Sequence, residues 1–236
     1  MTTRATIVGA GGLGGPISFA LARAGIELTI VDPDVVDLSN LHRQVQFTAV
    51  DIGSAKATRL AGSIVARGGA AKGLVTRWTA ETADEISGDA ELIVDASDDP
   101  ATKFAVTDWA VANGRRYVIA AALRYGGNVM AGAPGVACYR CLFEEPSDAP
   151  SCAEAGVLGP VVGAIGGVAA AVALGLVQGD RSYAGALLAF DDLRLVPEPR
   201  IVRFAPRQGC PACAGAPISP SISTPATAAV RVAEGA

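Results

Sequence analysis

Three groupings of residues in this chain have the types and the spacing to do chemistry. The first is Gly9-x-Gly11-x-x-Gly14, which follows the apolar run Ala5 to Val8 and opens a helix-compatible stretch, Pro16 to Ala24. Glycines let the backbone come close to an anion, and N–H groups at a helix start face it, so the turn has the form of a phosphate cradle. Asp32 ends the next apolar run, Glu27 to Asp32, where a carboxylate can take ribose hydroxyls. On these residues alone, NAD binding by an oxidoreductase stands as one reading. The second grouping pairs Cys138-x-x-Cys141 with Cys210-x-x-Cys213, the ligand count and spacing of a Cys₄ zinc site. Four thiolates leave no open position for water, so such a metal is structural and staples the end of the chain to its middle. Disulfide hairpins or a redox pair are the alternatives, and Pro211 with the Gly/Ala surroundings favours knuckles. Cys152, the fifth cysteine, is a nucleophile in type and equally a small buried thiol. His42 is the single histidine, so no multi-His metal site can form.

Positioning these groups requires strands and helices in alternation. After the opening strand-turn-helix-strand unit, further strands are expected at Gly73 to Arg77, Glu91 to Ala96 and Tyr117 to Ala121. Helix-compatible stretches, Ser54 to Arg67 and Ala101 to Asn113, separate them. The expected fold class is therefore α/β, a Rossmann-like, mostly parallel sheet. Gly127 to Ala133, Ala186 to Phe190 and Ile201 to Phe204 lack regular crossover helices and predict an antiparallel extension carrying the Cys₄ knuckle. Residues 216–236, rich in Ala, Pro, Ser and Thr, read as a flexible tail.

Composition sets the outer bounds. Half of the 236 residues are hydrophobic and 18% are charged, which describes a globular chain with a substantial core. Its 23 acidic against 19 basic residues give a net charge of -4, and no Lys/Arg run marks a nucleic-acid binder. No signal or transit segment precedes the first strand, so a cytoplasmic location is expected, where thiols stay reduced. Val157 to Val177 carries no charged side chain and is long enough to span a bilayer. Its Gly and Pro content, and the lack of aromatic belts or flanking positive charge, predict a buried helix instead, packed in the core or against a second copy.

The run Asp32-Pro-Asp34-Val-Val-Asp37-Leu-Ser-Asn40-Leu-His-Arg43-Gln44, followed by Asp51-Ile-Gly53-Ser-Ala-Lys56, resembles the signature of the E1-like MoeB/ThiF/HesA-type adenylyltransferases. The likeness continues through Ser97-Asp98-Asp99, both cysteine pairs, and Ser151-Cys152 to Gly163, covering about residues 4 to 215. It implies ATP-dependent adenylation of the C-terminal carboxylate of a small ubiquitin-like sulfur carrier, or a peptide, ending in Gly-Gly. It implies ATP binding by Gly9, Gly11, Gly14, Asp32, Asn40, Arg43 and Lys56, and Mg²⁺ on Asp98. Arg43, Lys56, Asp98 and Cys152 are its catalytic candidates, and Cys138, Cys141, Cys210 and Cys213 its zinc ligands. A homodimer and a separate sulfur donor also follow from the resemblance. Residues 1–215 would form one adenylation domain, with a nucleotide-binding half, 1–125, and a partner-binding and zinc half, 126–215. An N-terminal helix with an Arg-x-x-Arg-Gln-like motif, usual in the family, is not found before the first strand, and Lys103 stands where an arginine is common. A degenerate, non-catalytic binding module is therefore the second alternative to the enzyme.

Overall fold

The computed structural model describes residues 2–146 and 155–214. Eight strands form one sheet in the order β3-β2-β1-β4-β5-β6-β7-β8. Strands β1 (Arg4–Val8), β2 (Glu27–Val31), β3 (Ala71–Leu74), β4 (Leu92–Asp95) and β5 (Arg116–Leu123) are parallel. Beyond β5 the sheet continues antiparallel through β6 (Gly126–Gly132), β7 (Ala186–Phe190) and β8 (Arg200–Arg203). This is the expected mostly parallel sheet with its antiparallel extension.

The parallel strands read as continuous apolar runs because helices cover both faces. Alternate side chains enter opposite cores. Ile7, Ile30, Val94 and Val118 pack with α1 (Gly14–Arg23), α2 (Lys56–Val65) and α6 (Gly159–Val177). Val8, Val31, Ile93 and Ile119 pack with α3 (Ala83–Ser87), α4 (Pro100–Ala112) and Tyr139 of α5 (Tyr139–Leu142). Helix α4 starts where Asp99 accepts N–H bonds from Ala101 and Thr102, with Pro100 in the first turn.

Most boundaries shift by a residue or two from expectation, and two of them bear on the fold. The third strand lies at Ala71–Leu74 rather than at 73–77, because its register is set by pairing Leu28 with Ala71 and Val31 with Leu74, which leaves Val75 exposed past the end of the ladder. The first helix begins at Gly14, two residues before Pro16. Helix α6, of mean hydropathy 2.2, is long and apolar enough to cross a bilayer. Here it lies on α1, β5 and β6, burying Val161, Ile165, Ala169 and Ala173. Only one side is covered: Pro160, Gly163, Ala164, Gly167 and Ala171 form an exposed face of small residues.

Candidate active site

Strand order reverses between β1, which leads outward to β2 and β3, and its other neighbour β4. Ligands of such sheets bind at the carboxyl ends of the strands flanking that point. A cleft of about 630 Å³ opens there. Its walls include Gly9, Gly11, Asp32, Asn40, Arg43, Lys56 and Asp98, contributed by the ends of β1, β2 and β4 and by the loop before α2. A second, apolar cavity of about 380 Å³ lies between Val111, Pro134 and Cys213, away from these groups.

The glycine turn is steric in origin. Gly9 has φ +96, and a Cβ on Gly14 would sit 1.9 Å from the Gly9 carbonyl oxygen. Gly14 is thus a support behind the turn and not part of the cleft wall, unlike Gly9 and Gly11. Asp32 accepts N–H bonds from Ala10 (2.7 Å) and Asp34 (2.8 Å), which ties the glycine turn to the end of β2. Burial raises its carboxyl above the usual carboxylate range, against those two bonds and the nearby Lys56 ammonium.

The cations fall into two kinds. Lys56 is buried and its ammonium donates to Asp34 at 2.9 Å. Lys103, also buried, donates to Asp95 at 2.7 Å. Arg43 is half-buried and bonds the Ser39 carbonyl oxygen (3.3 Å), with His42 Nε2 at 3.5 Å; it meets no carboxylate among the described residues. The exposed Arg77, just past β3, also lines the cleft without an ion pair among them. Nothing in its local sequence marks it, since a lone arginine after a strand has no pattern. Asn40 donates to Ser39 Oγ at 3.3 Å. Asp98 is exposed, and among the described residues its carboxylate has no partner. Its neighbour Asp99 differs. Burial pushes that carboxyl up, but bonds from the Thr102 hydroxyl and two N–H groups outweigh it and hold the group below its ordinary value. Cys152 lies outside the described residues.

All four remaining cysteines come together, with their Sγ atoms within 4.8 Å of one another. Sγ contacts of 3.7 Å (Cys138 to Cys141), 3.5 Å (Cys138 to Cys210) and 3.4 Å (Cys141 to Cys213) are close to the roughly 3.8 Å edge of a tetrahedron with Zn–S bonds of about 2.3 Å. Burial pushes the Cys138 thiol up and Cys213 up to about 11, while Cys210, although burial raises it, is brought to about 7 by N–H bonds from Cys213 and Ala212. Four thiolates this close cannot all ionise without a cation, and a tetrahedral dication satisfies the set.

Sequence comparison agrees with the geometry. Residues 1–212 match the ThiF family. The chain is 39% identical over 225 residues to the sulfur carrier protein adenylyltransferase of Thermus thermophilus, covering 89% of this chain and 82% of that protein. It is 34% identical over 222 residues to the SAMP-activating enzyme E1 of Haloferax volcanii, with 90% and 81% covered. Against the adenylyltransferase and sulfurtransferase MOCS3 of Dictyostelium discoideum, identity is 37% over 221 residues, 89% of this chain. The chain spans about half the length (52%) of that relative. The crystal structure of E. coli MccB with AMPCPP and MccA shares the fold, with a TM-score of 0.77 at 19% identity over 89% of this chain and 66% of that one. Fold and family match together define an E1-like, Rossmann-type protein, and it is the family match that removes the dehydrogenase reading of the glycine turn. The chain belongs to the ThiF family and is by class an adenylyltransferase.

Proposed function

We propose that the chain uses ATP to adenylate the C-terminal carboxylate of a small ubiquitin-like sulfur carrier ending in Gly-Gly, or of a peptide, for later sulfur transfer or conjugation. The observation that carries this reading is that one cleft, built around a glycine turn at the switch point, holds a guanidinium, Arg43, and a carboxylate, Asp98, that form no ion pair among the described residues. The names of the Thermus and Haloferax relatives support the substrate class.

The chemistry sets what the cleft must do. A carboxylate oxygen attacks the α-phosphorus of ATP, the new O–P bond forms, and the bond to the bridging oxygen breaks so that pyrophosphate leaves with its electron pair. Both reactants are anionic, so the protein's work is positioning and positive charge. Gly9 and Gly11 admit the phosphates, with Gly14 supporting the turn, and Asp32 takes the ribose. Asn40, Arg43 and Lys56 hold the phosphates, Lys56 exchanging its exposed partner Asp34 for substrate. The lone exposed carboxylate of Asp98 fits Mg²⁺, which binds through one or two carboxylates plus substrate phosphates and when bound neutralises phosphate charge. Residues 1–125 thus serve as the nucleotide half. Residues 126–215 form the partner and zinc half, in which Cys138, Cys141, Cys210 and Cys213 hold zinc. Cys152, a few residues before the cleft-lining Val157, is the nucleophile for the following step. Its thiolate attacks the acyl carbon, AMP leaves and a thioester remains; sulfide from a separate donor then attacks that thioester, forming the thiocarboxylate and releasing the Cys152 thiolate. A homodimer covers the small-residue face of α6.

Exchange of labelled pyrophosphate into ATP tests the reading, with a Gly-Gly carrier present. Exchange should need a free C-terminal carboxylate on the carrier, and Asp98→Ala should lower it roughly a hundredfold or more. Near-normal exchange by Asp98→Ala, or exchange with an amidated carrier, refutes it.

A further inference from the structure

Beneath Asp98 lies a buried ion pair that the proposed chemistry does not use. Asp95, the last residue of β4, is fully buried. One of its oxygens, Oδ1, accepts bonds from the Ser97 N–H (3.1 Å) and the Ser97 hydroxyl (2.6 Å); the other, Oδ2, accepts from Lys103 Nζ at 2.7 Å. The same ammonium donates to the Ser97 carbonyl oxygen at 2.7 Å and to the Ala120 carbonyl oxygen on β5 at 3.0 Å. An ammonium has three donors, and all three are engaged. Lys103 therefore has none left for a phosphate, although it lines the cleft.

We infer that Asp95 and Lys103 are a positioning pair, which grips the N–H, hydroxyl and carbonyl of Ser97 and so fixes where Asp98 presents its carboxylate to Mg²⁺ and the phosphates. The inference rests on the reading of Asp98 given above. Two observations favour positioning over plain stability. A buried ion pair contributes little net stability, because desolvation offsets its attraction, so energy alone does not account for it. Every polar group of Ser97 is held from beneath, while the next residue, Asp98, is exposed and has no partner among the described residues. Preorganised ligands of this kind reduce the reorganisation needed when a cation and substrate arrive.

Three variants of the full chain separate the possibilities. Asp95→Asn/Lys103→Met removes both charges together, avoiding a lone buried ion, and loses the bond to the Ser97 carbonyl. Ser97→Ala loses only the hydroxyl bond. Asp98→Asn removes the proposed ligand itself. The readouts are the Mg²⁺ concentration for half-maximal pyrophosphate exchange and, without ATP or metal, the hydrogen exchange of the Ser97 and Asp98 amides. The double variant should raise the Mg²⁺ requirement roughly tenfold or more and leave the KM for carrier unchanged. Its two amides should exchange faster. Ser97→Ala should move both readouts in the same direction by less, and it decides the matter if the double variant does not fold. A folded double variant with wild-type Mg²⁺ requirement and wild-type amide protection overturns the inference. If Asp98→Asn leaves the Mg²⁺ requirement unmoved, the inference falls through its premise, and faster amide exchange in the double variant identifies that as the point of failure.

Discussion

Removing the metal from the cysteine cluster should cost the chain most of a long-range cross-link. Cys138 and Cys210 are 72 residues apart in sequence, as are Cys141 and Cys213. Closing a loop of that length removes about 4 kcal/mol of conformational entropy from the unfolded chain, on the model used for covalent cross-links. The apo cluster should not collapse ionically. The thiols that burial pushes up, Cys138 and Cys213 (the latter to about 11), reprotonate once zinc leaves and pack as small apolar groups, so Cys210, held at about 7, does not face a cluster of like charges. The cross-link thus sets the scale. For a chain of this size 1 kcal/mol moves the melting point by about 2–4 °C, so a loss near 4 kcal/mol corresponds to a fall of about 8–16 °C. Metal analysis of protein purified without added zinc should find one ion per chain. Calorimetric scans before and after chelation, with reductant present, should show the fall, and Cys210→Ser should reproduce it without chelator. A metal-free chain whose melting temperature chelator leaves unchanged refutes both the ligand set and the cross-link reasoning.

Two further outcomes follow from single side chains. Arg43→Ala should lower kcat/KM for ATP in pyrophosphate exchange by roughly a hundredfold. Arg43→Lys should recover little of it, because a point charge does not replace a planar fork on phosphate; full activity in the lysine variant would show that only charge matters. Asp99→Ala should destabilise the fold by about 1 kcal/mol through loss of the α4 cap. Because the folded state depresses this carboxyl below its usual 3.8, the contribution is complete above about pH 4 and is lost as pH falls through the lower folded value. Denaturant melts at pH 7 and pH 3 should therefore differ in the gap between wild type and variant, and an equal gap at both would contradict the cap's titration.

Much of the sheet was legible because burial on both faces turns parallel strands into apolar runs. Ala186–Phe190 was read to the residue. Helix α3 was missed. It is five residues long and mostly polar, and it is held from outside: Ile86 is buried, Trp78 Nε1 donates to Ser87 and Trp109 Nε1 to Asp84. No local pattern encodes contacts of that kind. In the site, Gly9 and Gly11 announce themselves by spacing, and the paired cysteines by theirs. Arg43, Lys56 and Asp98 are ordinary charges in sequence, recognisable only through the family signature, since the ends of β1, β2 and β4 bring them together from separate segments. Arg77 and the Ser97 grip lay beyond even that signature. One is a lone arginine, and the other depends on the pairing of β4 with β5 that sets Ala120 beside Asp95.

The cleft's basic groups differ in what binding an anion would cost them. Lys56, its own side chain 8% exposed, meets an Asp34 carboxylate that is 62% exposed, so that carboxylate can return to water when an arriving phosphate takes its place beside the ammonium. Lys103 meets a carboxylate that is 0% exposed, and releasing it would leave Asp95 as an uncompensated buried charge, a loss of about 3–5 kcal/mol. Among the described residues Arg43 meets no carboxylate, and Arg77 acts on Asp99 only through its charge, with no ion pair to break. Anion binding in this cleft therefore falls to two guanidiniums without an ion pair among the described residues and to one ammonium with an exposed partner, while the fourth cation stays with the backbone that carries Asp98. Residue type alone does not separate these roles. The exposure of each lysine's partner does, and it divides the two between substrate and scaffold.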